Sequence, residues 1–237
     1  MAKKAIILAA GRGTRMASYS VQGPKCLLEV KGKPLLQRQL ESLNASGVEE
    51  FIIVGGYMFE MLENFIASTP WNVKLINNPF YAEMNSIGSL WLARDHLHGD
   101  VFITNADTYF ESPIYSQLMN NQHSYIFGVD KSKKNDADYS VTLFDDEVLD
   151  MGKDIEEYEV MAEYIGIAAI KKSGVSLFRE LLDKSVRNGN YGLWWEDLFL
   201  ELLAKGEKIS YVDVTGSLWF EVDQIRDYRR CQRYFND

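Results

Sequence analysis

The chain has 237 residues and a mass of 27.2 kDa, with 46% apolar and 25% charged residues, which excludes a mainly disordered or collagenous molecule and allows a substantial buried core. A net charge of −9 and a pI near 5.0 exclude a broadly basic, nucleic-acid-binding surface. Residues 1–50 nevertheless hold eight Lys/Arg against four Asp/Glu, so a local anion site is expected near the start of an otherwise acidic chain.

The apolar run Ala5–Ala10 is too short for a secretory signal or a membrane span, and Ala5–Leu8 reads as a buried strand entering Gly11-Arg12-Gly13. Pro34 opens a helix and Gly47 closes it. Glu50–Val54 is the next strand, ended by Gly55-Gly56, and a helical pattern follows over Met58–Ile66. Asn72–Ile76 reads as a strand, Ser86–Leu97 as a helix, and Val101–Thr104 as a strand running into Asn105-Ala106-Asp107. This alternation predicts an α/β protein with a doubly wound parallel sheet, whose ligands sit at the carboxyl ends of the strands.

The second half changes character. Ser124–Val129, Asp138–Phe144 and Val148–Met151 read as strands of a more antiparallel layer, with Asp145-Asp146 as a hairpin turn. Tyr164–Ile170 is a further buried strand, helices are expected near 174–187, 195–204 and 224–235, and a strand near 208–214. No stretch has the composition of a linker, so a single domain, 1–237, is expected. Two cysteines, Cys26 and Cys231, make neither a disulfide framework nor a zinc site and fit a reducing compartment; the expectation is a cytoplasmic protein with no membrane or nucleic-acid partner.

The strongest local signal is Leu8-Ala9-Ala10-Gly11-Arg12-Gly13-Thr14-Arg15, continued by Gly23-Pro24-Lys25. Small residues after a strand let the backbone approach a ligand, glycines expose N–H groups to anions, and Arg12, Arg15 and Lys25 add positive charge. The run lacks the Gly-Lys-Ser/Thr ending of a P-loop and the third glycine of the dinucleotide fingerprint.

These residues, with Pro24-Lys25, resemble the nucleotidyltransferases that make activated sugars and alcohols. Asp107 after a buried strand resembles that family's metal-binding aspartate. Glu163-Tyr164-Ile165-Gly166-Ile167 resembles its Gly-Glu-Tyr-x-Gly strand, with Ala162 for the first glycine. Trp219-Phe220-Glu221-Val222-Asp223 resembles its Trp-x-Glu-Ile-Asp, whose aspartate completes the metal site. Asn85-Ser86-Ile87-Gly88-Ser89-Leu90 and Trp194-Trp195-Glu196-Asp197 are similar to segments of the phosphocholine and phosphonate cytidylyltransferase branch. Ser86 departs from that branch's second asparagine, and Asn105 replaces an aspartate often found two residues before the metal ligand.

The resemblance implies the nucleotide-diphospho-sugar transferase fold, a Rossmann-like mixed, mainly parallel sheet flanked by helices. It implies a CTP-binding half (about 1–110) and an acceptor-binding half (about 111–237). The implied reaction is magnesium-dependent transfer of CMP from CTP to a small phospho-alcohol or phosphonate, of phosphocholine or 2-aminoethylphosphonate type, with release of pyrophosphate. Asp107 and Asp223 would hold Mg²⁺. Arg15 would neutralise the leaving pyrophosphate and Lys25 the α-phosphate. Leu8, Ala9, Ala10, Gly11, Arg12, Gly13, Thr14 and Gly56 would line the nucleotide. Asn85, Tyr139, Lys153, Glu163, Trp194, Trp195 and Glu196 would form the acceptor site, with Asp136 and Asp138 as further charges. Aromatic faces attract quaternary ammonium groups, but an aromatic pair such as Trp194-Trp195 at a helix start is more often core or staple, only one of the two would face the pocket, and Tyr139 reads equally well as a strand residue. The acidic neighbours do not separate phosphocholine from an aminoalkylphosphonate. Two other readings stand beside this one: a sugar-1-phosphate nucleotidyltransferase using UTP or dTTP, and a catalytically silent nucleotide-binding subunit. A homodimer is left open.

Overall fold

The computed structural model describes residues 4–16, 23–133, 139–153, 155–156 and 159–235. The first half builds four parallel strands: β1 (Lys4–Ala9), β4 (Glu50–Gly55), β5 (Val73–Asn77) and β6 (Val101–Asn105). Between β1 and β4 lies a small hairpin, β2 (Glu29–Val30) and β3 (Lys33–Pro34). Its turn residues Lys31 and Gly32 have φ of 51° and 71°, the left-handed pair that a tight two-residue hairpin requires.

The main sheet runs in the order β5-β4-β1-β6-β11-β8-β12-β10-β9. Its second half consists of β8 (Tyr125–Asp130), β9 (Ser140–Phe144), β10 (Glu147–Gly152), β11 (Ala162–Ile170) and β12 (Ile209–Asp213). β11 is antiparallel to both β6 and β8, β12 is parallel to β8, and β10 is antiparallel to β12 and β9. β9 returns to pair with β11 at Ala162 and Glu163, so this end of the sheet curls upon itself. The sheet is therefore mixed: parallel at the β5 end and largely antiparallel beyond β6.

Every residue of β1 is buried, as expected of a strand covered on both faces. Ile6 and Leu8 join a core with α3 (Ser86–Leu92), α5 (Lys172–Arg187) and α6 (Leu198–Ala204). Ala5, Ile7 and Ala9 point the other way, onto α1 (Leu35–Ala45), α2 (Phe59–Ala67) and α4 (Ser112–Asn120). The sequence pass did not mark α4, although Pro113 stands in its first turn and Ile114, Tyr115, Leu118 and Met119 are buried at helical spacing. The helix expected over Ser86–Leu97 stops at Leu92 and ends in a separate tight turn, Arg94–His96. The helix expected near 195–204 divides in the same way, with a one-turn segment at Trp195–Asp197 before α6.

A second small sheet matters most for the site. β7 (Thr108–Phe110) and β13 (Trp219–Glu221) pair antiparallel, with Thr108 opposite Glu221 and Phe110 opposite Trp219. α7 (Ile225–Tyr234) follows, and Met16, Val30, Leu35, Phe220, Val222 and Cys231 form a third, smaller core beneath it. Among the described residues no helix is long and apolar enough to cross a membrane.

Candidate active site

The turn after β1 crosses the carboxyl end of the parallel strands. Gly13 has φ +60°, and a Cβ on it would stand 3.0 Å from Cβ of Lys25, so both conformation and close approach demand glycine there. A Cβ on Gly11 would meet nothing within 4 Å and would project into open space. Lys25 begins a single helical turn after Pro24. Its Nζ donates to Asp107 Oδ2 at 2.8 Å and Asp223 Oδ1 at 2.5 Å, while Arg15 Nη1 reaches Asp223 Oδ2 at 2.5 Å. Burial works against the Lys25 charge, but the two carboxylates outweigh it and hold its pKa above the usual lysine range.

Asp107 and Asp223 lie 116 residues apart in sequence and are joined by the β7–β13 pairing, reinforced by Val222 N–H donating to the Asp107 carbonyl at 2.9 Å. The same pairing adds Glu221, which the sequence reading passed over. Oxygen atoms of Asp107, Glu221 and Asp223 all lie within 4.8 Å of one another. The signal was available: Glu221 and Asp223 are two apart at a strand end, a spacing that puts side chains on one face. Asp107 Oδ1 is buried with no hydrogen-bond partner among the described residues. Three hard oxygen donors, one of them with an unpartnered oxygen atom, make a set that could hold a magnesium ion beside the Lys25 ammonium.

This cluster lies beside a cleft of about 290 Å³ lined by Leu8–Gly11, Gly13–Arg15, Lys25, Asn85, Asn105, Asp107, Trp194 and Asp223, with Tyr81, Met84 and Ser89. Tyr81, Met84 and Ser89 were not expected from the sequence, where nothing marks them as other than loop and helix residues. A smaller cavity of about 80 Å³ adjoins it, lined by Tyr139, Lys153, Tyr164, Gly166, Trp194 and Glu196, and shares Arg15, Asn105, Glu221 and Asp223 with the cleft. Gly166, at φ +83°, sits where the β11–β8 register shifts, and its position next to Thr108 admits no larger side chain without movement.

Several expected residues fall elsewhere. Trp195 is fully buried, and its Nε1 donates to Asn105 Oδ1 at 3.1 Å; it supports the cavity from the core and does not line it. Asn85 caps α3 by accepting from Ser86 N–H at 2.8 Å, and its Nδ2 donates to the Gly192 carbonyl at 3.2 Å. Its amide thereby ties α3 to the loop that carries Trp194, and it touches the larger cleft rather than the small cavity. Ser86, the departure from the related branch, accepts from Trp195 N–H at 2.9 Å and completes the same tie. Glu163 lines neither of these but an outer cavity beside Trp219 and Arg230, which shares Glu221 and Asp223 with them. Arg12 packs over the Tyr57 ring at 5.5 Å and is not among the cleft residues. Gly56 makes the close contact between Tyr81 and Ala10 and does not line the cleft. Asp136 and Asp138 lie outside the described residues.

Asn105 is held on all sides. Its Nδ2 donates to Glu196 Oε1 at 3.1 Å and its carbonyl accepts from Gln39 Nε2 at 2.9 Å. The Glu196 carboxyl is buried, and burial pushes its pKa up to about 7, against the lowering effect of a backbone N–H and Asn105. Tyr139 donates to Asp197 Oδ1 at 3.2 Å, and Asp197 Oδ2 accepts from Trp194 N–H at 2.7 Å. The Lys153 ammonium lies 4.3 Å from the Trp194 ring centroid.

An α/β sheet with a glycine-rich turn, paired cations and a carboxylate cluster at its strand ends is the frame of a nucleotide-handling transferase. Residues 5–151 match the MobA-like NTP transferase domain, and the chain belongs to that family of nucleotidyltransferases. It is 29% identical to a CTP:phosphoglutamine cytidylyltransferase of Campylobacter jejuni, over 94% of this chain and 96% of that one. It is 31% identical to a 2-aminoethylphosphonate cytidylyltransferase of Lancefieldella rimae, over 94% of this chain and 89% of the relative. The solved structure of the CTP:phosphocholine cytidylyltransferase of Streptococcus pneumoniae has the same fold, with a TM-score of 0.80 at 24% identity over the whole of both chains.

Proposed function

We propose that the chain transfers CMP from CTP to a small acceptor bearing a phosphate or phosphonate, of the phosphocholine or 2-aminoethylphosphonate type, with release of pyrophosphate. The observation that carries this reading is the continuity of two cavities across one charged centre. The larger begins at the backbone of Leu8–Gly11, the smaller ends at Glu196, and Arg15, Asp223 and Glu221 belong to both.

In this reaction an acceptor oxygen forms a bond to the α-phosphorus as the bond to pyrophosphate breaks, in line. Both reactants are anions, so charge neutralisation and positioning carry the catalysis. Asp107, Glu221 and Asp223 carry −3 between them and Lys25 and Arg15 return +2, which leaves the centre near −1. Magnesium held by these carboxylates would make the centre net positive and polarise phosphate oxygens. Lys25, stationed at the carboxylates, is placed to turn toward the α-phosphate, and Arg15, half exposed at the rim, toward the departing pyrophosphate. The open space over Gly11 and the backbone N–H groups of the turn suit close approach by the nucleotide. Lys153 is placed to meet the acceptor's anionic end.

The test is pyrophosphate release with Mg²⁺ across the four nucleoside triphosphates, with phosphocholine, 2-aminoethylphosphonate, inositol phosphate and glucose-1-phosphate as acceptors. Turnover confined to CTP with a phospho-alcohol or phosphonate is the expected result. Turnover with UTP or dTTP and the sugar phosphate would overturn the branch while leaving the fold intact.

A further inference from the structure

The small cavity contains polar chemistry that the transfer step leaves unused. Glu196 is only 4% exposed; its Oε1 accepts from Asn105, and its Oε2 has no hydrogen-bond partner among the described residues. Tyr164, 5% exposed, likewise buries a hydroxyl with no partner among the described residues. Both side chains line the same cavity of about 80 Å³. Buried polar atoms in folded proteins are nearly always satisfied, and two unsatisfied ones lining one cavity indicate a missing donor. The aromatic surface tells the complementary story. The face of Trp194, the exposed ring at the cavity mouth, already carries the Lys153 ammonium at 4.3 Å. The Tyr164 ring is packed against Phe127, Tyr139 and Trp195 at centroid distances of 4.6, 5.9 and 6.4 Å.

We propose that the far end of the acceptor is a primary ammonium, received by Glu196 and Tyr164, and that Glu196 is the residue that selects it over a quaternary ammonium. This rests on the acceptor reading above and narrows it. A primary ammonium donates three hydrogen bonds and neutralises a buried carboxylate; a trimethylammonium donates none and depends on open ring faces. Here Lys153 already occupies a face of Trp194, while the Glu196 and Tyr164 oxygens have no partner among the described residues. A neutral hydroxyl could donate one bond but offers an ionised carboxylate no counter-charge. Arg15 and Lys153, which also line this cavity, belong to the opposite, anionic end of the same acceptor.

Phosphoethanolamine and phosphocholine differ only by three N-methyl groups, and 2-aminoethylphosphonate and its N-trimethyl analogue form a second matched pair. With CTP and Mg²⁺, the expected kcat/KM is at least about 10-fold higher for the primary amine of the pair in use, mainly through KM, because a site built around hydrogen-bond acceptors rejects a ligand that lacks the donors. Glu196→Gln removes the charge with little change of shape and is expected to bring that ratio to within about 3-fold of unity, and Tyr164→Phe to lower it by a smaller factor, roughly 2- to 5-fold. Equal or better use of the quaternary acceptor by the unmodified protein overturns the assignment, and so does a ratio unchanged in Glu196→Gln. If neither pair is used, calorimetric titration with CTP and Mg²⁺ separates the two failures. Binding of CTP overturns the head-group assignment alone; no binding overturns the nucleotide reading beneath it.

Discussion

On the proposed reading, the nucleotide and acceptor ends of the site are built in opposite ways. At the nucleotide end, Leu8–Arg15 and Lys25 come from one short stretch of chain, placed by β1 and the turns that follow it. Backbone approach and fixed charge supply the chemistry, and the bulky lining residues Tyr81 and Met84 come from a later segment. At the acceptor end, Tyr139, Lys153, Tyr164, Trp194 and Glu196 come from the β9 entry, the β10 exit, β11 and the turn before α6. Their hydroxyl, ammonium and carboxyl groups face a space that none of these segments defines alone. An end that receives the same nucleotide whatever the acceptor can be written locally, whereas the end that discriminates between acceptors is assembled from side chains that meet only in the folded sheet.

That contrast can be broken first at the centre where the ends meet. Asp107→Ala is expected to lower kcat by roughly 10³-fold, because it removes one of three clustered carboxylates from a site whose charge balance supports the transfer. The fold should persist, since Lys25 retains Asp223, and an unchanged circular dichroism melt beside a lost pyrophosphate signal would check both halves of the claim. Full turnover by Asp107→Ala would remove the centre from the chemistry altogether.

A second test concerns the acceptor end and pH. Folded Glu196 keeps its proton up to about pH 7, while the unfolded chain releases it near the ordinary glutamate value of 4.5. Between these values the folded state holds more protons, so stability falls as pH rises through the window and is level above it. The groups bearing on this carboxyl are Asp197 and Asp107, which raise its pKa, and Asn105, which lowers it; Tyr164 and Tyr139 are nearby. Thermal melts of the apo-protein from pH 4.5 to 7.5 should show an extra loss on the order of 2–3 kcal/mol relative to Glu196→Gln, which has no such proton to lose. Parallel melting curves for the two proteins would mean that Glu196 is solvated.

The smallest effect probes the tie between the ends. Asn85→Ala removes the α3 cap and the link to Gly192, and should cost about 1 kcal/mol of stability. Because the freed loop carries Trp194, acceptor KM should rise several-fold while the KM for CTP changes less. The reverse pattern, measured in the same assay, would place Asn85 on the nucleotide instead.

Legibility in the sequence followed the same division. β1, β4 and β6 were readable because a strand covered on both faces is a continuous apolar run between turn signals, and β5, a partly exposed edge strand, because Asn77-Asn78-Pro79 closes a short apolar stretch. The glycine-rich turn, Lys25, Asp107 and Asp223 were readable because each sits in a short pattern that resembles a known family. Trp195 was misplaced because two adjacent tryptophans give no sign of which one faces the core; only the hydrogen bond to Asn105 decides it. Asn85 was assigned to the acceptor on pattern alone, whereas its amide is spent on a cap and a loop. Glu221 was missed although it stands inside the Trp219–Asp223 pattern, because the resemblance gives a metal role to the aspartate alone.

By itself the sequence determined a mixed α/β chain whose parallel half ends in a glycine-rich turn flanked by cations, since periodicity, glycine placement and local charge are properties of neighbouring residues. Only the tertiary structure decided that Asp107, Glu221 and Asp223 form one cluster, because that depends on the register of β7 against β13 across more than a hundred residues. It alone also decided which rings are covered and which buried oxygens lack a partner. Burial and hydrogen-bond satisfaction belong to the packed chain, and no segment carries them on its own.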